Sequence, residues 1–167
     1  MRALAARLRE ISSPVVVAGG ERAFRARLLS ELGVELARHG AEPLLVTADP
    51  ALPFHGPPGA VTRLRWTSGS WAIERVEPLC TLDAARFRLP VVLACRHALE
   101  GAKSVPTFVE VPRLTRGMGS SELLSALVQT LGVETVVWIG GESELQGEIT
   151  SLGADLIEVA EEKGPTL

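Results

Sequence analysis

Apolar positions along the chain fall into short unbroken runs separated by longer stretches with helical spacing. Val15-Val16-Val17 is a β-branched run closed by Pro14 on one side and Gly19-Gly20 on the other, and Leu44-Leu45-Val46 and Thr135–Ile139 repeat the form. Continuous runs of this length suit strands covered on both faces, as in a parallel sheet. Between the first two, Leu28, Leu29, Leu32 and Leu36 mark one helical face, and His39-Gly40 supplies a stop. The spacing therefore predicts a strand over 14–18, a helix over 21–39 and a strand over 43–47. A short amphipathic helix over 2–11 precedes them, ended by Ser12-Ser13-Pro14.

Residues 50–60 carry four prolines, which fix φ and make a stiff loop. Residues 61–66 alternate Val, Leu and Trp against Thr and Arg, as a strand with one wet face near a sheet edge does. Ser68-Gly69-Ser70 is a turn and 82–87 a short helix. Pro90 either opens a helix running to about 102 or precedes a short strand. The helix is favoured, because Val92, Cys95 and Leu99 share a face and Gly101 follows. A strand over 107–111 leads into a basic, glycine-containing loop at 112–119. Ser120 or Ser121 then caps a helix with a Leu123, Leu124, Leu127, Val128, Leu131 stripe, ended by Gly132. After Thr135–Ile139 come a Gly140-Gly141 turn, a helix over 143–152 and a strand over 156–159. Strands alternating with helices predict an α/β fold: three layers, a mostly parallel sheet with helices on both faces, as one domain over 1–167.

Composition narrows the function. A 46% hydrophobic, 22% charged chain of 167 residues has room for a full core. A net charge of −3 gives no bulk attraction to nucleic acid, although 15 of 17 basic residues are arginines and a basic face stays open. The N-terminus is too short and charged for a signal peptide, and no apolar run approaches the ~18–20 residues that span a bilayer. Cys80 and Cys95 make neither a disulfide framework nor a zinc site, and no metal site is expected. The expectation is a cytoplasmic protein without membrane contact.

Candidate chemistry gathers after the strands, where open α/β sheets hold ligands. Strand, Gly19-Gly20, helix, strand and Asp49 follow the outline of a phosphate-binding P-loop unit. A working loop reads G-x-x-x-x-G-K-[ST], wrapping phosphate with backbone N–H groups, reaching it with Lys and ligating magnesium with the hydroxyl. Counted from Gly19, those last places hold Phe24, Arg25 and Ala26. Gly19, Gly20, Arg22, Arg25 and Asp49 are the candidate phosphate- or nucleotide-binding residues. Each has a plainer role open to it: a tight turn, solvated arginines, and an aspartate capping the loop before Pro50. Trp66 and Trp71 either stack on bases or fill the core.

Two passages resemble the polynucleotide 5′-hydroxyl kinase family (the Clp1/Grc3 group of P-loop proteins). One is Leu44-Leu45-Val46-Thr47-Ala48-Asp49-Pro50, continuing to Gly56-Pro57-Pro58-Gly59, which is similar to the family's D-x-D-[PV]-G-Q…PPG segment. The other is Leu114-Thr115-Arg116-Gly117-Met118-Gly119 with the leucine-rich helix and buried strand that follow, similar to G-W-[VI]-K-G-x-G. The resemblance covers roughly residues 14–160 and implies ATP or GTP with magnesium in an active member. It also implies substrate-loop roles for Pro57, Pro58, Gly59, Arg113 and Arg116. The departures fall on the functional positions. Arg25 replaces the Lys and is no substitute for it in a tight loop. Ala26 lacks the metal-ligating hydroxyl, and Phe24 is bulky where Gly admits phosphate. Thr47 stands for the first Asp, and Val111-Pro112-Arg113-Leu114 for the T-x-G-W clasp. The expectation is a catalytically degenerate relative, with no catalytic residue and no cofactor, acting as a binding or scaffold protein. Its partner would be another protein or a second copy, with RNA possible. The alternatives are an active 5′-hydroxyl kinase, or a nucleotide or RNA binder without turnover.

Overall fold

The computed structural model describes residues 1–102, 105–114 and 117–161. In chain order the elements are α1 (Arg2–Arg9), β1 (Val15–Gly19), α2 (Arg22–Arg38), β2 (Leu44–Thr47), β3 (Ala60–Thr67) and β4 (Ser70–Pro78). There follow α3 (Arg88–Ala98), β5 (Thr107–Glu110), α4 (Met118–Leu131), β6 (Thr135–Ile139), α5 (Glu144–Ser151) and β7 (Asp155–Val159). One seven-stranded sheet has the order β4-β3-β2-β5-β1-β6-β7. β2, β5, β1, β6 and β7 run parallel, and β3 and β4 join antiparallel at one side.

The sheet divides two apolar layers. Leu8 of α1 and Leu28, Leu29, Leu32 and Leu36 of α2 pack with Val15 and Val17 on one face. Val92 and Cys95 of α3, Leu123, Leu124 and Leu127 of α4 and Ile149 of α5 pack with Val16 and Ala18 on the other. The alternation along β1 is why its continuous apolar run is needed: each face feeds a different core. This is the three-layer α/β arrangement expected from the sequence. Among the described residues no helix is long and apolar enough to cross a membrane.

Three elements differ from expectation. The turn at 68–70 opens a full edge strand, β4. Ser68 (φ 52) and Gly69 (φ 85) form the two-residue hairpin turn, whose paired left-handed residues match the strand twist. Residues 82–87 form turns rather than a helix: the Asp83 side chain takes the Arg86 N–H (3.0 Å), leaving a single helical-type bond from the Phe87 N–H to the Asp83 carbonyl (3.1 Å). α3 starts at Arg88, which leaves Pro90 in its first turn, where no N–H partner is required. Trp66 and Trp71 are core residues, 5% and 8% exposed, in edge-to-face contact at 5.1 Å. Gly33 gives them room, since a Cβ there would overlap the Trp66 indole.

Candidate functional site

The chain leaves β1 for α2 on one face of the sheet and leaves the adjacent β5 for α4 on the other. Divergence of this kind opens a crevice at the strand ends. Gly19 (φ 77) and Gly20 (φ 62) turn the chain out of β1 in the left-handed region, and a Cβ on Gly19 would overlap the Ile139 carbonyl. α2 begins at Arg22, almost at once, so residues 22–24 lie in its first turn instead of wrapping outward. Its N-cap, Glu21, makes no side-chain cap, and the first turn holds no acidic residue.

Arg25 sits one turn into α2 and is 2% exposed. Its Nη1 donates to the Gly19 carbonyl (3.1 Å) and the Gly20 carbonyl (2.9 Å). Its Nε donates to Glu110 Oε1 at 3.2 Å. Phe24 is the bulky side chain expected at the turn, but Arg25 is the one that packs behind it. Phe24 turns away to pack against the α1–α2 cluster, with the Arg27 guanidinium 5.0 Å from its ring centre. The Arg25 Nε and Nη1 are thus both turned inward, toward Glu110 and the two glycine carbonyls.

Glu110, at the end of β5, was not singled out in the sequence. It is fully buried, and among the described residues its Oε2 has no hydrogen-bond partner. In register it lies in one row with Val17 of β1, Thr47 of β2 and Thr62 of β3. Burial pushes its carboxyl above the ordinary range; Arg25 pulls against that, Asp49 adds to it and Arg22 opposes it, and burial prevails. A carboxylate closing the run Thr107-Phe108-Val109 was the available signal, because an acid among buried strand residues needs a partner.

Asp49 is 6% exposed, and its Oδ1 accepts the N–H groups of Ala51 (3.0 Å) and Leu52 (3.1 Å). This is the loop-capping role. Asp49 also lines a cavity of about 320 Å³ with Leu52, Leu82, Pro112, Arg113 and Leu114, so the loops after β2 and β5 do converge. Arg22 donates to the Pro53 carbonyl at 3.0 Å. Arg113 is largely exposed and reaches Glu21 at 3.6 Å. Pro57 and Pro58 are exposed, and Gly59 fixes the loop path by donating to the Pro50 carbonyl (2.8 Å) and accepting from the Leu79 N–H (2.6 Å). None of these three lines the Asp49 cavity. Arg116 lies outside the described residues.

Two further features surround the turn. Glu161 Oε1, from the segment after β7, accepts the Glu21 N–H at 2.8 Å. No periodicity marks this residue in the sequence. A cavity of about 940 Å³ is lined by Glu142, Glu144, Glu148 and Glu158 beside Leu114 and Met118. Carboxylates so placed repel phosphate. Among the described residues no group of three or more His, Cys, Asp or Glu side chains could hold a metal ion.

No protein-family model matches this sequence, and no curated protein matches it. Solved structures match it by fold. One describes the extended interface between Pcf11p and Clp1p and the structural basis for ATP loss in a glycine-to-arginine point mutant. It agrees with a TM-score of 0.67 at 14% identity, over 96% of this chain and 47% of that one. The wild-type Clp1p–Pcf11p complex agrees at 0.61 and 16% identity, over 94% and 46%. The chain spans about half the length of each, and at these identities the likeness is one of architecture: the fold is the α/β fold of Clp1p.

Proposed function

We propose that this chain is a catalytically degenerate relative of the polynucleotide 5′-hydroxyl kinases that works as a non-enzymatic binding or scaffold protein. The seat of Arg25 carries this reading. A triphosphate entering the turn would have to displace the guanidinium from two carbonyls and leave Glu110 buried without its partner. Breaking a buried ion pair costs roughly 3–5 kcal/mol, more than a weak anion contact returns. Residues 22–24 are helical, and Ala26 offers no hydroxyl to magnesium, so the residues present do not fit a nucleotide–metal pair. Phosphoryl transfer depends almost wholly on positioning and electrostatics, so little of it survives such losses.

The neighbours give this reading two parallels. In one, a glycine-to-arginine mutant is reported with ATP loss, and here an arginine fills the cradle. Both neighbours are complexes with Pcf11p, which favours a protein partner, or a second copy, for this chain as well. Calorimetric titration with ATP and GTP in magnesium, beside an assay of phosphate transfer to 5′-hydroxyl RNA, tests the proposal. No binding and no transfer are expected. Transfer that disappears in Asp49→Ala overturns it.

A further inference from the structure

α3, α4 and α5 lie over one face of the sheet, with α3 and α5 flanking α4. Arg88 at the start of α3 pairs with Glu122 in the first turns of α4, and Ser121 of α4 donates to Glu148 of α5. The outer surface of this layer changes character from flank to flank. Along α3 and the turn before it, Arg86, Leu89, Leu93 and Arg96 are exposed at a spacing of three and four, which is one helical face. Leu89 is 68% exposed and Leu93 41%, an apolar stripe between two arginines. Of the three arginines there, only Arg88 pairs with a carboxylate among the described residues. On the other flank residues 117–161 hold eight acids and no Lys, Arg or His. Glu142, Glu144 and Glu148 line the 940 Å³ cavity between the starts of α4 and α5, beside Met118, which is 77% exposed. Between the flanks, α4 presents Ser125, Ala126 and Gln129, which carry no charge.

We propose that this helical layer docks a second copy of the chain about a two-fold axis running along α4. That operation keeps the helix starts at one end and exchanges the flanks, so α3 of each copy lies over the α4–α5 cavity of the other. Arg86 and Arg96 then face the carboxylates of the other copy, and Leu89 and Leu93 cover its Met118. Residues on the axis meet their own counterparts, so a charge there would meet a like charge; the uncharged strip of α4 is what the symmetry requires. One chain supplies both the basic apolar stripe and the acidic apolar cavity that complements it, which is why the occupant is a second copy and not a foreign basic segment. The dimer deepens the binding role proposed above, and rests on it only in naming the partner. Phosphate transfer in the kinase assay would defeat that role and leave the dimer to be judged by its mass.

Sedimentation equilibrium of the whole chain is the test. The unaltered protein should show twice its 17.8 kDa and dissociate several-fold more readily as salt rises from about 0.05 to about 0.5 M. Leu89→Asp, at an exposed position, should leave the melting temperature unchanged and shift the chain to monomer. Arg86→Glu with Arg96→Glu, and separately Glu142→Arg with Glu144→Arg, should each weaken the dimer roughly tenfold or more, because both contacts then oppose like charges. Mixed in equal amounts, these two variants should recover a hybrid dimer, since one copy is now acidic on both flanks and the other basic on both. If reversal at Glu144 disturbs the start of α5, Glu142→Arg alone takes its place in the mixture. A chain that stays monomeric at about 100 µM overturns the proposal. So does a dimer that Leu89→Asp and both reversals leave intact, or a mixture of the two reversed variants that stays monomeric.

Discussion

Strands β1 and β6 run side by side in parallel and leave the sheet through the same three-residue sequence, Gly19-Gly20-Glu21 and Gly140-Gly141-Glu142. Each precedes a helix, yet the two helices are started by different means. α5 is closed locally: Ser143 accepts the Leu145 N–H (3.3 Å) and Gln146 accepts the Ser143 N–H (2.6 Å), a reciprocal capping box within four residues. α2 has no such box. Its turn is held by Arg25 from inside the helix, by Glu110 from β5 and by Glu161 from beyond β7. A glycine pair after a strand therefore does not by itself fix how the next helix is held; at α2 the residue standing one turn into the helix does so by turning inward.

The strongest way to break this contrast is to remove the inward arginine. Arg25→Met should lower unfolding free energy by about 3–5 kcal/mol, because Glu110 is left charged or forced to protonate in the core. Adding Glu110→Leu should recover most of the loss, since two apolar groups can replace a buried pair. Urea denaturation of the single and double variants measures both. A loss below about 1 kcal/mol for Arg25→Met would mean the turn stands without its filling. The same pair sets a pH dependence. Glu110's folded carboxyl is raised by burial, so the folded state holds that proton more readily than the unfolded chain. Its contribution is complete below the ordinary glutamate value of about 4.3 and is lost as pH rises through the folded one. Glu110→Gln should match the unaltered protein's urea midpoint at the acidic end and lose less as pH rises; parallel pH curves would refute the assignment.

Next in size is the pair of glycine turns themselves. Gly19→Ala asks for a left-handed alanine whose Cβ meets the Ile139 backbone, which cannot yield as a side chain tip can. A cost on the order of 1–3 kcal/mol is expected. At Gly141 a Cβ would meet nothing within 4 Å, so Gly141→Ala should stay within about 0.5 kcal/mol in the same melts. Equal effects would show that the two turns carry similar strain.

The contrast also explains what was legible in the sequence. The buried runs of β1, β2 and β6 and the leucine stripe of α4 announce themselves, because each is a local pattern serving a nearby core. β4 was missed for a physical reason. Its pairing slips between Arg63 and Leu64, with Glu74 the extra residue, so Trp71, Ile73 and Val76 are spaced by two and then three and no alternation survives. At the site, the absence of a lysine at 25 and of a hydroxyl at 26 could be read directly, as could the gathering of loops after the strands. The destination of Arg25 could not, since its partner Glu110 is 85 positions away. Phe24 is the bulkier obstruction by sequence, but an arginine that pairs with the buried Glu110 carboxylate has more to gain from the inner position than a phenyl ring that packs in the α1–α2 cluster.

The smallest expected effect sharpens the same point at the level of single caps. Ser143→Ala removes half of a reciprocal box and should cost about 1 kcal/mol, within the usual range for a lost N-cap hydroxyl. Glu21→Ala occupies the matching place before α2, where the side chain caps nothing and reaches only exposed Arg113 at 3.6 Å. Its removal should change stability by no more than a few tenths of a kcal/mol, as exposed pairs usually do. The Glu21 N–H remains to hold Glu161, because that contact uses the backbone and not the carboxylate. A larger loss for Glu21→Ala than for Ser143→Ala in urea titration would mean that α2 is started from its own first residues after all, and the difference between the two turns would be one of degree.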